Sequence, residues 1–124
     1  MSTTRRTLTL LLLAALTAGC RSSTEPGDVQ VRVRNASTFG FESVVVHFPG
    51  SREEYGAVAA GETSDYRKVQ TAYRIATVEV LVEGALLRLQ VIDYVGEQTL
   101  PPGRYTYRLL VDVEGNLGLE LVGG

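Results

Sequence analysis

Apolar and polar residues alternate one for one along most of this chain from residue 29 onward. "VQVRVRN" places Val29, Val31 and Val33 on one face and Gln30, Arg32 and Arg34 on the other. A period of two is that of a strand with one buried side. "FESVVVHF" sets Val44, Val46 and Phe48 inward and Val45 and His47 outward, and Pro49-Gly50 ends it. A short strand is expected from Tyr55 to Val58, running into the turn "AAGE", with "TSDYRKV" as the next. "YRIATVEVLVEG" aligns Ala76, Val78, Val80 and Val82, and Glu83-Gly84 turns the chain into "LLRLQVID", with Leu87, Leu89 and Val91 inward. After Pro101-Pro102-Gly103, "RYTYRLLVDVEG" aligns Tyr105, Tyr107, Leu109, Val111 and Val113. Glu114-Gly115-Asn116 is expected to form a tight hairpin into "LGLELV", with Leu117, Leu119 and Leu121 inward. Strands at spacings of about ten residues, with turn signals between them, predict an all-β fold. The expected form is a single antiparallel β-sandwich of about seven or eight strands, with a small closed β-barrel as the alternative.

The first residues follow a different rule. Arg5 and Arg6 precede the apolar run Leu8 to Leu16, and Thr17, Ala18 and Gly19 lead to Cys20. A positive region, a short apolar region and a small-residue cleavage site make a secretory signal peptide. The run is about half of the roughly 20 residues a transmembrane helix needs. "LTAGC" resembles the lipobox of bacterial lipoprotein precursors. That resemblance implies cleavage between Gly19 and Cys20, lipid on the Cys20 thiol and a mature chain that begins with Cys20. Stable anchoring takes more than one acyl chain, and a lipobox cysteine usually carries three. Arg21 after the anchor implies the outer membrane, by the family's sorting rule. Arg5-Arg6 also resembles the twin-arginine export signal, but the strongly apolar run favours the general secretory route.

The domains are therefore expected as a signal peptide at 1–19, a lipid-anchored flexible tether at 20–28 and a β-sandwich at 29–124. "RSSTEPGD", Arg21 to Asp28, is rich in Ser, Thr, Pro and Gly and reads as flexible. Eight residues reach at most about 28 Å, so the domain is held close to the membrane. Removing the leader leaves ten Lys and Arg against fourteen Asp and Glu, a balance of −4. That acidic balance gives no footprint for nucleic acid. Cys20 is the only cysteine, so no disulfide forms within the chain and hydrophobic burial must stabilise the domain.

Two further stretches carry resemblances. "LPPGRYTYRLLVD" is similar to the turn-Gly-x-Tyr-x-Tyr strand of transthyretin-like and immunoglobulin-like accessory domains. "VRVRNAS" with "AAGETSDYRKVQTAYRIA" resembles small bacterial envelope lipoproteins built on one β-sandwich. These resemblances imply a fold and a location and carry no activity.

Candidate chemistry is sparse. His47, the only histidine, lies mid-strand with no acid near it in sequence, and reads as a surface residue. A general base needs an orienting partner and a cleft, and no nucleophile–base–orienter set can be assembled, so the chain is expected to be non-catalytic. One histidine and a lipidated cysteine offer no metal site, and no cofactor is called for. Asp112 to Glu120 faintly matches a calcium loop, but Leu117 stands where glycine is needed and Gly123 where the bidentate acid belongs. The candidate contact segment is "SDYRKVQTAYR", with Tyr66 and Tyr73 beside Arg67, Lys68 and Arg74. Aromatics beside arginines are enriched at protein contacts. The expected function is a membrane-anchored binding or scaffolding module for another envelope component, foremost a protein. A glycan-binding module and an inhibitor of envelope-attacking hydrolases are the alternatives.

Overall fold

The computed structural model describes residues 28–123. The expected signal peptide, the Gly19–Cys20 cleavage site, the lipidated Cys20 and all of the tether but Asp28 lie outside the described residues. Eight strands follow one another: β1 (Val29–Asn35), β2 (Ser43–Phe48), β3 (Ser51–Glu54), β4 (Arg67–Val69), β5 (Thr77–Val82), β6 (Ala85–Leu89), β7 (Gly103–Val111) and β8 (Leu117–Gly123). They form two four-stranded sheets, ordered β4-β1-β7-β8 and β3-β2-β5-β6. The sheets pack face to face as a two-layer sandwich, not as a closed barrel.

One pairing departs from the antiparallel expectation. β1 runs parallel to β7, in register from Val29 opposite Gly103 to Asn35 opposite Leu109. The other strand pairs are antiparallel. Alternation assigns faces to strands but says nothing of which strands become neighbours.

The core lies between the sheets. Val31, Val33, Tyr105, Tyr107 and Leu109 of the first face Val44, Val46, Phe48, Val78 and Val80 of the second, all buried. Each buried side chain of this size contributes roughly 1.5–3 kcal/mol. Phe48 and Tyr107 stack across the gap with centroids 5.9 Å apart. Two buried phenols are satisfied at the far end of their rings: Tyr55 donates to the Val31 carbonyl at 2.8 Å, and Tyr107 to the Tyr73 carbonyl at 2.5 Å.

Three stretches differ from the sequence pattern. The strand expected at Tyr55 to Val58 lies earlier, at Ser51–Glu54, directly after the Pro49-Gly50 turn. Tyr55 and Val58 are buried, but Gly56 takes a φ of 80° between them and breaks the extended run. "TSDYRKV" keeps only Arg67–Val69 as a strand, and "LLRLQVID" stops at Leu89. Val113, expected inward, is 95% exposed because β7 ends at Val111 and Asp112 turns the chain. The Asp112 carboxylate accepts the N–H groups of Glu114 and Asn116, each at 2.9 Å, which fixes a hairpin. Those bonds, led by the one from Asn116, hold its carboxyl below the usual range.

Asn35 is the polar residue that alternation hides, since it occupies the inward phase after three valines. It is fully buried, and its amide donates to the Phe39 carbonyl at 2.7 Å and the Val58 carbonyl at 3.0 Å. Its side-chain oxygen accepts from the N–H and hydroxyl of Ser37, and its backbone pairs with Gly61 and Glu62. One side chain thus closes two loops against the end of β1.

Replacing Asn35 by alanine leaves those buried groups without partners, so Asn35→Ala is expected to lower stability by about 3 kcal/mol, measured by urea unfolding. Burial pushes both the Tyr55 and Tyr107 phenols upward. Above a pH of about 10 the unfolded chain therefore releases these protons while the folded chain keeps them. Stability should be complete below that pH and then fall by up to about 1.4 kcal/mol per pH unit for each tyrosine. Tyr55→Phe should flatten that alkaline decline in a pH series of melting curves.

Candidate functional site

The outward faces of the two sheets carry similar residues and treat them differently. On the second sheet, opposite charges meet. Glu79 lies opposite Arg88 across β5–β6 and ion-pairs with it, and accepts from His47 at 3.3 Å. Arg52 pairs with Glu54 on β3. The hydrogen bond from His47, ahead of the nearby Arg88 charge, holds the Glu79 carboxyl below its ordinary range. His47 therefore has a cross-strand acid that its sequence neighbours do not reveal. The pair lies within a self-compensated surface network.

On the first sheet, cations meet cations. The parallel register sets Arg34 of β1 beside Arg108 of β7, Arg32 beside Thr106 and Gln30 beside Arg104. β4 adds Lys68 opposite Gln30. Five of the nine Lys and Arg among the described residues thus share one face of a domain in which acids outnumber bases. Arg108 ion-pairs with Glu120 at 2.6 Å and Lys68 with Asp28 at 3.4 Å. Arg32 and Arg34 instead donate to hydroxyls, Arg32 to Thr106 at 3.0 Å and Arg34 to Thr63 at 3.3 Å. Neither has a carboxylate within 4.0 Å among the described residues. A groove of about 460 Å³ runs between Arg32, Arg34, Thr63, Thr106, Arg108 and Glu120. Tyr66 lies at its side, with the guanidinium carbons of Arg32 and Arg104 at 4.7 and 5.4 Å from its ring centroid. Such cation–π contacts hold the guanidinium planes in place while leaving their donors to other partners.

The structure divides the segment singled out from sequence. Tyr66 and Lys68 belong to the arginine face. Arg67 does not: it donates to the Glu54 carbonyl at 2.8 Å, lies 3.8 Å from Glu53 and covers the Tyr55 ring, clasping the two sheets along one edge. Tyr73 stacks on Tyr94 at 4.4 Å, in the connections at the end where β4 stops and β7 starts. Arg74 is exposed at the same end, beside Glu97.

Sequence reasoning missed Arg32, Arg34, Arg104 and Arg108 as a group. Each occupies the outward phase of its strand, which was the available signal. Their convergence depends on β1 and β7 being neighbours, which no local pattern encodes. Among the described residues, no three His, Cys, Asp or Glu side chains are grouped to hold a metal ion.

No protein-family model and no curated protein matches this sequence. Among solved structures, the chain is similar to the NMR structure of a protein from Eubacterium rectale. The TM-score is 0.58 at 12% identity, over 86% of this chain and 97% of that one. At that identity the likeness is one of fold.

Proposed function

We propose that this protein is a non-catalytic binding module of the bacterial cell envelope, exported and lipid-anchored through Cys20 at the outer membrane, whose arginine face takes an acidic partner protein. The lipobox-like "LTAGC" supports the anchor. The observation that carries the binding site is Arg34, set beside Arg108 across β1–β7 and held, among the described residues, by a threonine hydroxyl in place of a carboxylate. Like charges directly opposite one another in a sheet destabilise it. The second sheet avoids that cost by pairing its charges, so its presence on the first sheet is explained by a ligand that brings carboxylates. Arginine forks recognise carboxylates bidentately, and Tyr66 pre-orients two of them. The anchor raises the local concentration of the module near a membrane partner, so a weak interface suffices. A glycan module would offer an open aromatic platform, whereas Tyr66 has Arg32 and Arg104 over its ring.

The test uses the full chain in native envelopes, with a photo-reactive residue at Val122 beside the groove. A discrete protein adduct is expected, weakened by Arg34→Gln and by Cys20→Ser. Labelled fatty acid should enter the wild-type chain and not Cys20→Ser. Arg34→Gln removes a repulsion, so it should raise stability by up to about 0.5 kcal/mol while reducing the adduct. An adduct indifferent to Arg34→Gln would sink the arginine face as the contact surface, and absence of label would sink the anchor.

A further inference from the structure

We propose that the end of the sandwich from which the tether leaves rests in the bilayer interface, with Ile92 and Val95 among the lipid headgroups; this rests on the lipid-anchored reading of Cys20. Strand register defines that end. Val29 pairs with both Val69 and Gly103, so the start of β1, the end of β4 and the start of β7 lie side by side. The N–H of Gly103 donates to the carbonyl of Asp28, the last tether residue, at 2.9 Å. Two connections therefore emerge beside the tether: residues 70–76 between β4 and β5, and residues 90–102 between β6 and β7.

The second of these is long for a compact domain, and long loops of this kind are commonly functional. It is also pinned. Leu100 donates to the Ala72 carbonyl at 2.9 Å, Tyr94 stacks on Tyr73, and the N–H of Glu97 donates to the Tyr94 carbonyl at 2.9 Å. Asp93 accepts the N–H of Val95 at 3.0 Å, which engages its carboxylate in the turn. On this held loop Ile92 is 90% exposed and Val95 87% exposed, with Ile75 partly exposed on the neighbouring connection. Both side chains sit three residues apart on one held loop and offer apolar surface whose burial would be favourable.

The distance to the anchor identifies the cover. Eight residues separate Cys20 from β1, a reach of at most about 28 Å, and they join the domain at this end. Aromatic rings with polar tips favour the headgroup level of a membrane, and Tyr73 and Tyr94 form such a pair here. Lys68, Arg74 and Arg104 belong to the same end as the acids Asp28, Asp93 and Glu97, and Lys68 is paired with Asp28 there, so the apolar side chains and the tyrosine pair carry the contact. The opposite end has its own exposed apolar residue, Val113, and supplies the internal control.

The experiment places the envelope-extracted full chain in phosphatidylglycerol-containing nanodiscs that carry a nitroxide lipid, and reads methyl NMR relaxation. Ile92 and Val95 should show severalfold greater broadening than Val113, and Ile92→Ser with Val95→Ser should reduce broadening at Ile75. Equal broadening at both ends, or none at Ile92 and Val95, would overturn the proposal. So would contacts at Ile92 and Val95 that form in native envelopes with a protein and are absent in nanodiscs. The mass of the extracted chain reports acylation separately, so loss of the anchor reading and loss of the tip contact are distinct results.

Discussion

The parallel pairing of β1 with β7 is the constraint on which the rest of the sandwich depends. β1 is an interior strand, flanked by β4 and β7, and its inward valines form the floor of the core. Because the pairing is parallel, the residues that begin β1 and β7 lie at one end and those that finish them at the other. That single fact gathers Asp28, Gly103 and the two apolar connections at one end. It leaves Asn35 at the other, where it binds two loops that cross between the sheets. An antiparallel register would have set Arg34 beside a different part of β7.

The two outer faces show how one scaffold carries two electrostatic solutions. The second sheet pairs Glu79 with Arg88 and His47, and Arg52 with Glu54, as expected of a surface shaped only by folding. The first sheet concentrates guanidinium groups, steadies two of them with the Tyr66 ring, and gives Arg32 and Arg34 hydroxyls in place of carboxylates.

Alternation revealed the inward residues of β1, β2 and β5 because those strands are covered along their length, and period two is strongest under that condition. It failed where burial and strand geometry separate. Tyr55 and Val58 are core residues in a connection that Gly56 bends, so their apolar character suggested a strand four residues too late. Edge strands β3 and β4 read poorly because they are short and charged, a composition that discourages pairing with other chains. The candidate site was legible only in part. Tyr66 and Lys68 stood out by local composition, whereas the arginines come from strands more than seventy residues apart and meet through tertiary register alone. Arg67 has the composition of a contact residue and instead clasps the two sheets.

The position of β1 also bears on the order in which structure can appear. β1 is an interior strand and its parallel neighbour β7 begins at Gly103, so a loop that spans most of the described residues must close before the first sheet is complete. Until β7 is available, β1 has only the three residues of β4 to pair with. The second sheet is local by contrast, with β5 and β6 joined by the Glu83-Gly84 turn in positive φ. The second sheet can therefore assemble from neighbouring segments, whereas the first closes only when β7 joins β1.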